Sequence, residues 1–185
     1  MNAQETYDFI LENNLSDIHS KTIHLKTSHF VEKGQKNIEI DCSLLFDDYN
    51  QRQSFQNLNI IIDNLKIDKI SIKNGLNKII FSNGYSYTPE LFIEGNDVFQ
   101  IDGSRCSSIK KINLNTPSLQ NLDLRNNFLK EFRADLPNLK NIDLSYNNFL
   151  EKVNLKSKDI EIFRMIQNQI KEFNLECKSI GNLHV

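Results

Sequence analysis

A repeat of 20 to 21 residues constrains this chain more than any other feature. It is clearest in two consecutive stretches, SLQNLDLRNNFLKEFRADLP and NLKNIDLSYNNFLEKVNLKS. Each carries Leu-x-x-Leu/Ile-x-Leu-x-x-Asn, running from Leu119 to Asn127 and from Leu139 to Asn147. A third copy substitutes Ile160, Phe163 and Met165 and ends on Asn168. Weaker copies precede these: Val98-x-x-Ile101-x-Gly103-x-x-Cys106, Leu76-x-x-Ile79-x-Phe81-x-x-Gly84 and Phe55-x-x-Leu58-x-Ile60-x-x-Asp63. Ile180-x-x-Leu183-x-Val185 opens another. A unit this short cannot bury its own apolar face, so neighbouring copies must stack.

The alternation within each copy is that of a strand, with two apolar side chains pointing into the stack. The Asn that follows can turn inward where the chain leaves the strand and satisfy backbone groups there. Stacked copies would make an Asn ladder, with Cys106 in one of its positions. This pattern resembles the leucine-rich repeat family, strongly over 119–175 and more loosely over 55–118, where Asp63 and Gly84 replace the Asn. Residues 1–50 do not match. The resemblance implies a solenoid with one parallel strand per turn, a binding surface on the strand face and no catalytic activity.

A second column recurs between the first strands: Ile70-x-Ile72, Leu91-x-Ile93, Ile112-x-Leu114, Phe132-x-Ala134, Val153-x-Leu155 and Phe173-x-Leu175. Its period of two predicts strands on the opposite side as well. The residue before each pair reads Lys69, Glu90, Lys111, Glu131, Lys152, Glu172. In a parallel stack these charges would lie about 4.8 Å apart with alternating sign, which favours this register. The expected fold is therefore mostly β within the α/β-type solenoid class. It has parallel strands on both faces, about six turns over residues 55–185, and a helix and strand cap over residues 1–54.

Within that cap, QETYDFILENN at 4–14 places Tyr7, Ile10 and Leu11 on one helical face. Ile23-x-Leu25 and Ile38-x-Ile40 read as strands around a turn at 32–35. Their spacing breaks the repeat, which suggests a cover for the first core layer. The first fifty residues carry 4 Lys against 9 Asp and Glu, an acidic end on a chain of net charge −2.

That near-neutral balance argues against a dedicated nucleic-acid binder, and no apolar run is long enough to span a bilayer. The first residues lack the basic and apolar regions of a secretory signal, so the expected location is cytoplasmic, with non-classical secretion open. Cys42, Cys106 and Cys177 show no paired spacing, which suits a reducing compartment better than disulfides or zinc. The 25 Asn and 23 Ile beside only 6 Gly and 3 Pro follow from the repeat, with Ile filling strand columns and Asn serving ladder and turns. No phosphate-cradling, nucleophile-elbow or His-Glu-x-x-His motif occurs. His19, His24 and His29 step by five, which shares neither a helix face nor a strand face. Neither a cofactor, a metal nor an enzymatic activity is expected.

The exposed face of the first column carries the functional signal. Between its inward residues lie Asn59, Ile80, Asp102, Asp123, Asp143, Arg164 and His184. Three successive Asp side chains set like charges side by side, which costs stability. Arg105 and Arg125 would partly neutralise them. The expected function is non-enzymatic binding of a protein with a basic segment by Asp102, Asp123, Asp143, Arg125, Tyr146 and Arg164. Ile61, Ile80, Ile162 and Ile166 would add apolar area to that face. Two other readings stand beside it. One is a bacterial effector or toxin-neutralising (immunity) protein, by analogy with bacterial repeat proteins. The other is a self-assembling scaffold or homodimer that pairs through the strand edge at 180–185.

Overall fold

In the computed structural model the described residues are 1–12, 16–17, 22–26, 37–41, 58–63, 68–73, 76–81 and 88–185. Helix α1 (Ala3–Glu12) is followed by β1 (Ser16–Asp17), β2 (Thr22–Lys26), β3 (Asn37–Asp41), β4 (Leu58–Asp63), β5 (Lys69–Lys73), β6 (Leu76–Phe81) and β7 (Glu90–Glu94). Then come β8 (Gln100–Asp102), β9 (Lys111–Asn115), β10 (Asn121–Asp123), β11 (Glu131–Asp135) and β12 (Asn141–Asp143). β13 (Lys152–Lys156), β14 (Asp159–Arg164), β15 (Glu172–Glu176) and β16 (Ser179–His184) complete the order.

The eight even strands together with β1 form a nine-stranded sheet, β1-β2-β4-β6-β8-β10-β12-β14-β16, in which, among the described residues, only the β1–β2 pair is antiparallel. The odd strands from β3 onward form the opposite face as two sheets, β3-β5-β7-β9 and β11-β13-β15. The chain is thus a mostly β solenoid with parallel strands on both faces and one short helix at its beginning. Hydrogen bonding in the second face lapses between β9 and β11, although the two strands remain neighbours.

Core packing follows the alternation. Ile101, Leu122, Leu124, Ile142, Leu144, Phe163 and Met165 from the first column meet Leu91, Ile93, Ile112, Phe132, Val153 and Leu155 from the second, all buried. Each such side chain contributes on the order of 1.5–3 kcal/mol by leaving water. Gly103 takes the inward position that Phe81, Leu124, Leu144 and Met165 fill in other turns. A Cβ there would sit 3.0 Å from Ile109 and 3.2 Å from Leu124, so two neighbours already fill that space.

The predicted Asn ladder is present. Asn127 Nδ2 donates to the carbonyls of Gly103, Leu124 and Arg125 at 3.0–3.1 Å, and its Oδ1 accepts from the N–H groups of Ser108 and Ile109. Asn147 donates to Leu124 and Leu144 and accepts from Leu129 N–H at 3.1 Å. Asn168 accepts from Asn147 N–H at 2.9 Å and donates back to Leu144 and Met165. Each Asn thereby joins its own turn to a neighbouring one. Cys106 occupies the equivalent place as a buried thiol 3.2 Å from Ser108 Oγ, and burial pushes its pKa up. That is the setting of a structural cysteine.

One expectation needs correction. The copy from Phe55 to Asp63 was set two residues out. β4 pairs Ile60 with Ile79 and Ile62 with Phe81, so the core pair is Ile60 and Ile62 instead of Leu58 and Ile60. The run Leu58-Asn59-Ile60-Ile61-Ile62 offers either choice, because a slip of two keeps every side chain on its face. Ile61, not Asn59, therefore neighbours Ile80 in the outward row. Phe55 lies outside the described residues, as do Asp63's side chain, Gly84, Cys42, the turn at 32–35 and the boundary at 54 and 55.

The strands read as cap material also extend both columns. β2 pairs in parallel with β4 and β3 with β5, and Ile23, Leu25, Ile38 and Ile40 are buried core residues. Helix α1 packs against β3 through Phe9 and Ile10, while Tyr7 is only half-buried and Leu11's side chain is not described. Its start is closed by a reciprocal capping pair: Asn2 Oδ1 accepts from Glu5 N–H, and Glu5 Oε2 from Asn2 N–H, both at 2.9 Å.

Candidate functional site

Asp102, Asp123 and Asp143 are direct neighbours across β8, β10 and β12, and Arg164 of β14 follows Asp143 in the same row. Each strand ends at its Asp for a local reason. The carboxylate turns back and accepts the N–H two residues on, from Ser104 at 3.1 Å, Arg125 at 3.1 Å and Ser145 at 2.9 Å. These are Asx turns, and they use one oxygen of each Asp. Ser104 Oγ adds a 2.7 Å bond to Asp102. Arg125 places its guanidinium 2.9 Å from the second oxygen of Asp123.

The row lies in a shallow depression of about 420 Å³ lined also by Arg125, Arg164, Asn121 and Asn141. Asn141 Nδ2 donates to Asn121 Oδ1 at 2.9 Å, a second amide ladder on the outer surface. Burial pushes the Asp123 carboxyl above its ordinary value, Arg125 pulls it down, and Asp102 and Asp143 push it up again. The acidic row is thus held together by its turns against mutual repulsion.

Five of the six expected site residues, Asp102, Asp123, Asp143, Arg125 and Arg164, line this one depression. Tyr146 does not line it. It stands half-exposed on the turn after Asp143 with φ of 59°. Asn126 and Gln167 hold the same left-handed conformation, each just before its ladder Asn, and Ser107 holds it just after Cys106. Asn tolerates this region, whereas a bulky side chain pays about 1–2 kcal/mol. Ile61, Ile80 and Ile162 are half-buried on the same sheet and Ile166 is exposed.

The alternating column of the second face behaves differently. Lys69 pairs in register with Glu90 and Glu90 with Lys111, and then Glu131 with Lys152 and Lys152 with Glu172. Lys152 and Glu172 close to 2.7 Å, and Lys156 and Glu176, four residues further along the same strands, to 3.1 Å. The hydrogen-bonded Glu partners raise both lysines' pKa values.

Sequence reasoning missed a further feature. Phe128 and Phe149 precede the buried Leu129 and Leu150 on the connections to the second face. They are 44% and 52% exposed and stack at 6.0 Å between ring centroids. Their 21-residue separation was a readable signal, because outward residues at the repeat period must become neighbours.

Among the described residues no group of three or more His, Cys, Asp or Glu is arranged to hold a metal ion, and no helix is long and apolar enough to cross a membrane. His24 is exposed, while His19 and His29 lie outside the described residues. Residues 117–157 match the family model for leucine rich repeats, in two copies. No curated protein and no solved structure matches the chain.

Proposed function

We propose that this chain, whose residues 117–157 match the leucine rich repeat family, is a non-enzymatic binding module, since the usual work of that class is protein–protein interaction without catalysis. Its target is a protein partner with a basic segment, taken along the first-strand face. The observation that carries this reading is the in-register row Asp102-Asp123-Asp143 in one depression with Arg125 and Arg164. Three adjacent carboxylates oppose folding, and Arg125 is paired with one of them. A Lys- or Arg-rich segment laid along the row would relieve the repulsion, which gives specificity and fast association. Arg164 and the strained Tyr146 mark one side of the track, where a partner's acidic or apolar residues would fit.

The test is capture of partners from native lysate by the wild type and by the triple variant Asp102→Asn, Asp123→Asn, Asp143→Asn. Asn keeps the oxygen that each Asx turn needs, so the variant folds. It should lose the salt-sensitive partner that the wild type retains. Equal capture by both proteins overturns the reading.

A further inference from the structure

The second face has an opening of its own. Where the ladder lapses between β9 and β11, a groove of about 1160 Å³ crosses the surface, and the stacked Phe128–Phe149 pair lines it. Exposed aromatic rings at the edge of a concavity supply large contact area at low entropic cost, as binding hot spots do. The charge around them is lopsided. The groove carries Lys110, Lys111, Lys130, Arg133 and Lys152 against Glu131 and Glu151. Lys152 is taken up by Glu172, and Glu151 by Lys171, each at 2.7 Å. Four cations then face one carboxylate, Glu131, on a chain whose net charge is −2.

We infer that this groove is a second docking site, for an acidic peptide segment with an aromatic or large aliphatic anchor. The anchor would lie against Phe128 and Phe149, and the flanking carboxylates would meet Lys110, Lys130 and Arg133. A bidentate contact from Arg133 would add geometric selection for a carboxylate. This site is separate from the Asp row in both position and charge, so the two surfaces can be tested apart.

The probe is a short fluorescein-labelled peptide alternating Glu with Phe, followed by fluorescence polarisation. Controls replace every Glu by Lys or every Phe by Ser. The Glu–Phe peptide should bind saturably and both controls should fail. Affinity should fall about tenfold or more in the Lys130→Glu, Arg133→Glu variant and in Phe149→Ala, as for loss of a hot-spot contact. Both variants alter exposed side chains, and circular dichroism checks that they fold. The Asp-to-Asn triple variant should bind the peptide as the wild type does. Absence of saturable binding, equal binding of the Lys–Phe control, or affinity that survives the charge reversal overturns the proposal. Self-association lost on Phe149→Ala would instead assign the groove to a second copy and overturn it too.

Discussion

The two faces of the solenoid use charge in opposite ways. On the first, Asp102, Asp123 and Asp143 lie side by side and each is restrained by its own turn. On the second, Lys and Glu alternate across neighbouring strands and close into ion pairs. The backbone geometry is the same parallel stack in both. What differs is whether the side chains relieve one another or are made to bear a repulsion. The paired column of the second face satisfies itself, so what that face still offers lies at the lapse between β9 and β11, whereas the Asp row keeps unspent attraction along its own length.

The sharpest way to break this comparison is to cut what joins the faces. Asn147 donates to two buried carbonyls and accepts from Leu129 N–H at the passage between them. Asn147→Ala leaves several buried groups unpaired, at about 1–3 kcal/mol each. Chemical denaturation should show a loss of roughly 3 kcal/mol or more, with hydrogen exchange rising on both faces. Protection lost on one face alone would mean that the ladder does not couple them.

The next effect is of opposite sign. Tyr146→Asn removes a bulky residue from a left-handed position, and Asn suits that backbone. Stability should rise by about 1 kcal/mol, while capture of the partner weakens. A gain in stability without any change in binding would leave Tyr146 outside the recognition surface.

The Asp row gives a smaller, pH-dependent effect. Burial raises the Asp123 pKa above its ordinary 3.8. Its stabilising contribution is therefore complete below that ordinary value and declines as pH rises through the folded-state value. Asp123→Asn should match the wild type in acid and gain in melting temperature as pH climbs above 3.8 toward neutrality. A melting temperature that falls on substitution at neutral pH would show that the Arg125 pair outweighs burial.

The smallest effect belongs to the second face. Lys152→Glu sets like charges against Glu131 and Glu172. Melting should drop slightly at low salt and recover at high salt, since exposed pairs are screened. A salt-independent loss would mean that Lys152 acts through packing.

The inward pairs, the ladder and both strand columns were legible because burial imposes one residue type at one spacing. That Asp102, Asp123, Asp143, Arg125 and Arg164 would come together was legible for the same reason, since a position one residue from an inward pair must line up with its equivalents. Tyr146 stands on the turn after Asp143, outside the residues that line the depression. The register of β4 was not legible, because Leu58, Ile60 and Ile62 share one parity and only pairing with β6 chooses among them. Nor was the role of β2 and β3 in both sheets, since the long step from Ile23 to Ile60 hides the period. The lapse between β9 and β11, and the groove it leaves, depend on backbone placement that no side-chain pattern records.

The alternation Lys69, Glu90, Lys111, Glu131, Lys152, Glu172 has one more consequence. Its true period is two coils. Inserting or deleting a single coil inside this column would bring Lys beside Lys or Glu beside Glu at the new junction. Adding or removing a pair of coils would leave every junction matched. The unit of length change that keeps the charges of this column matched is thus the doublet.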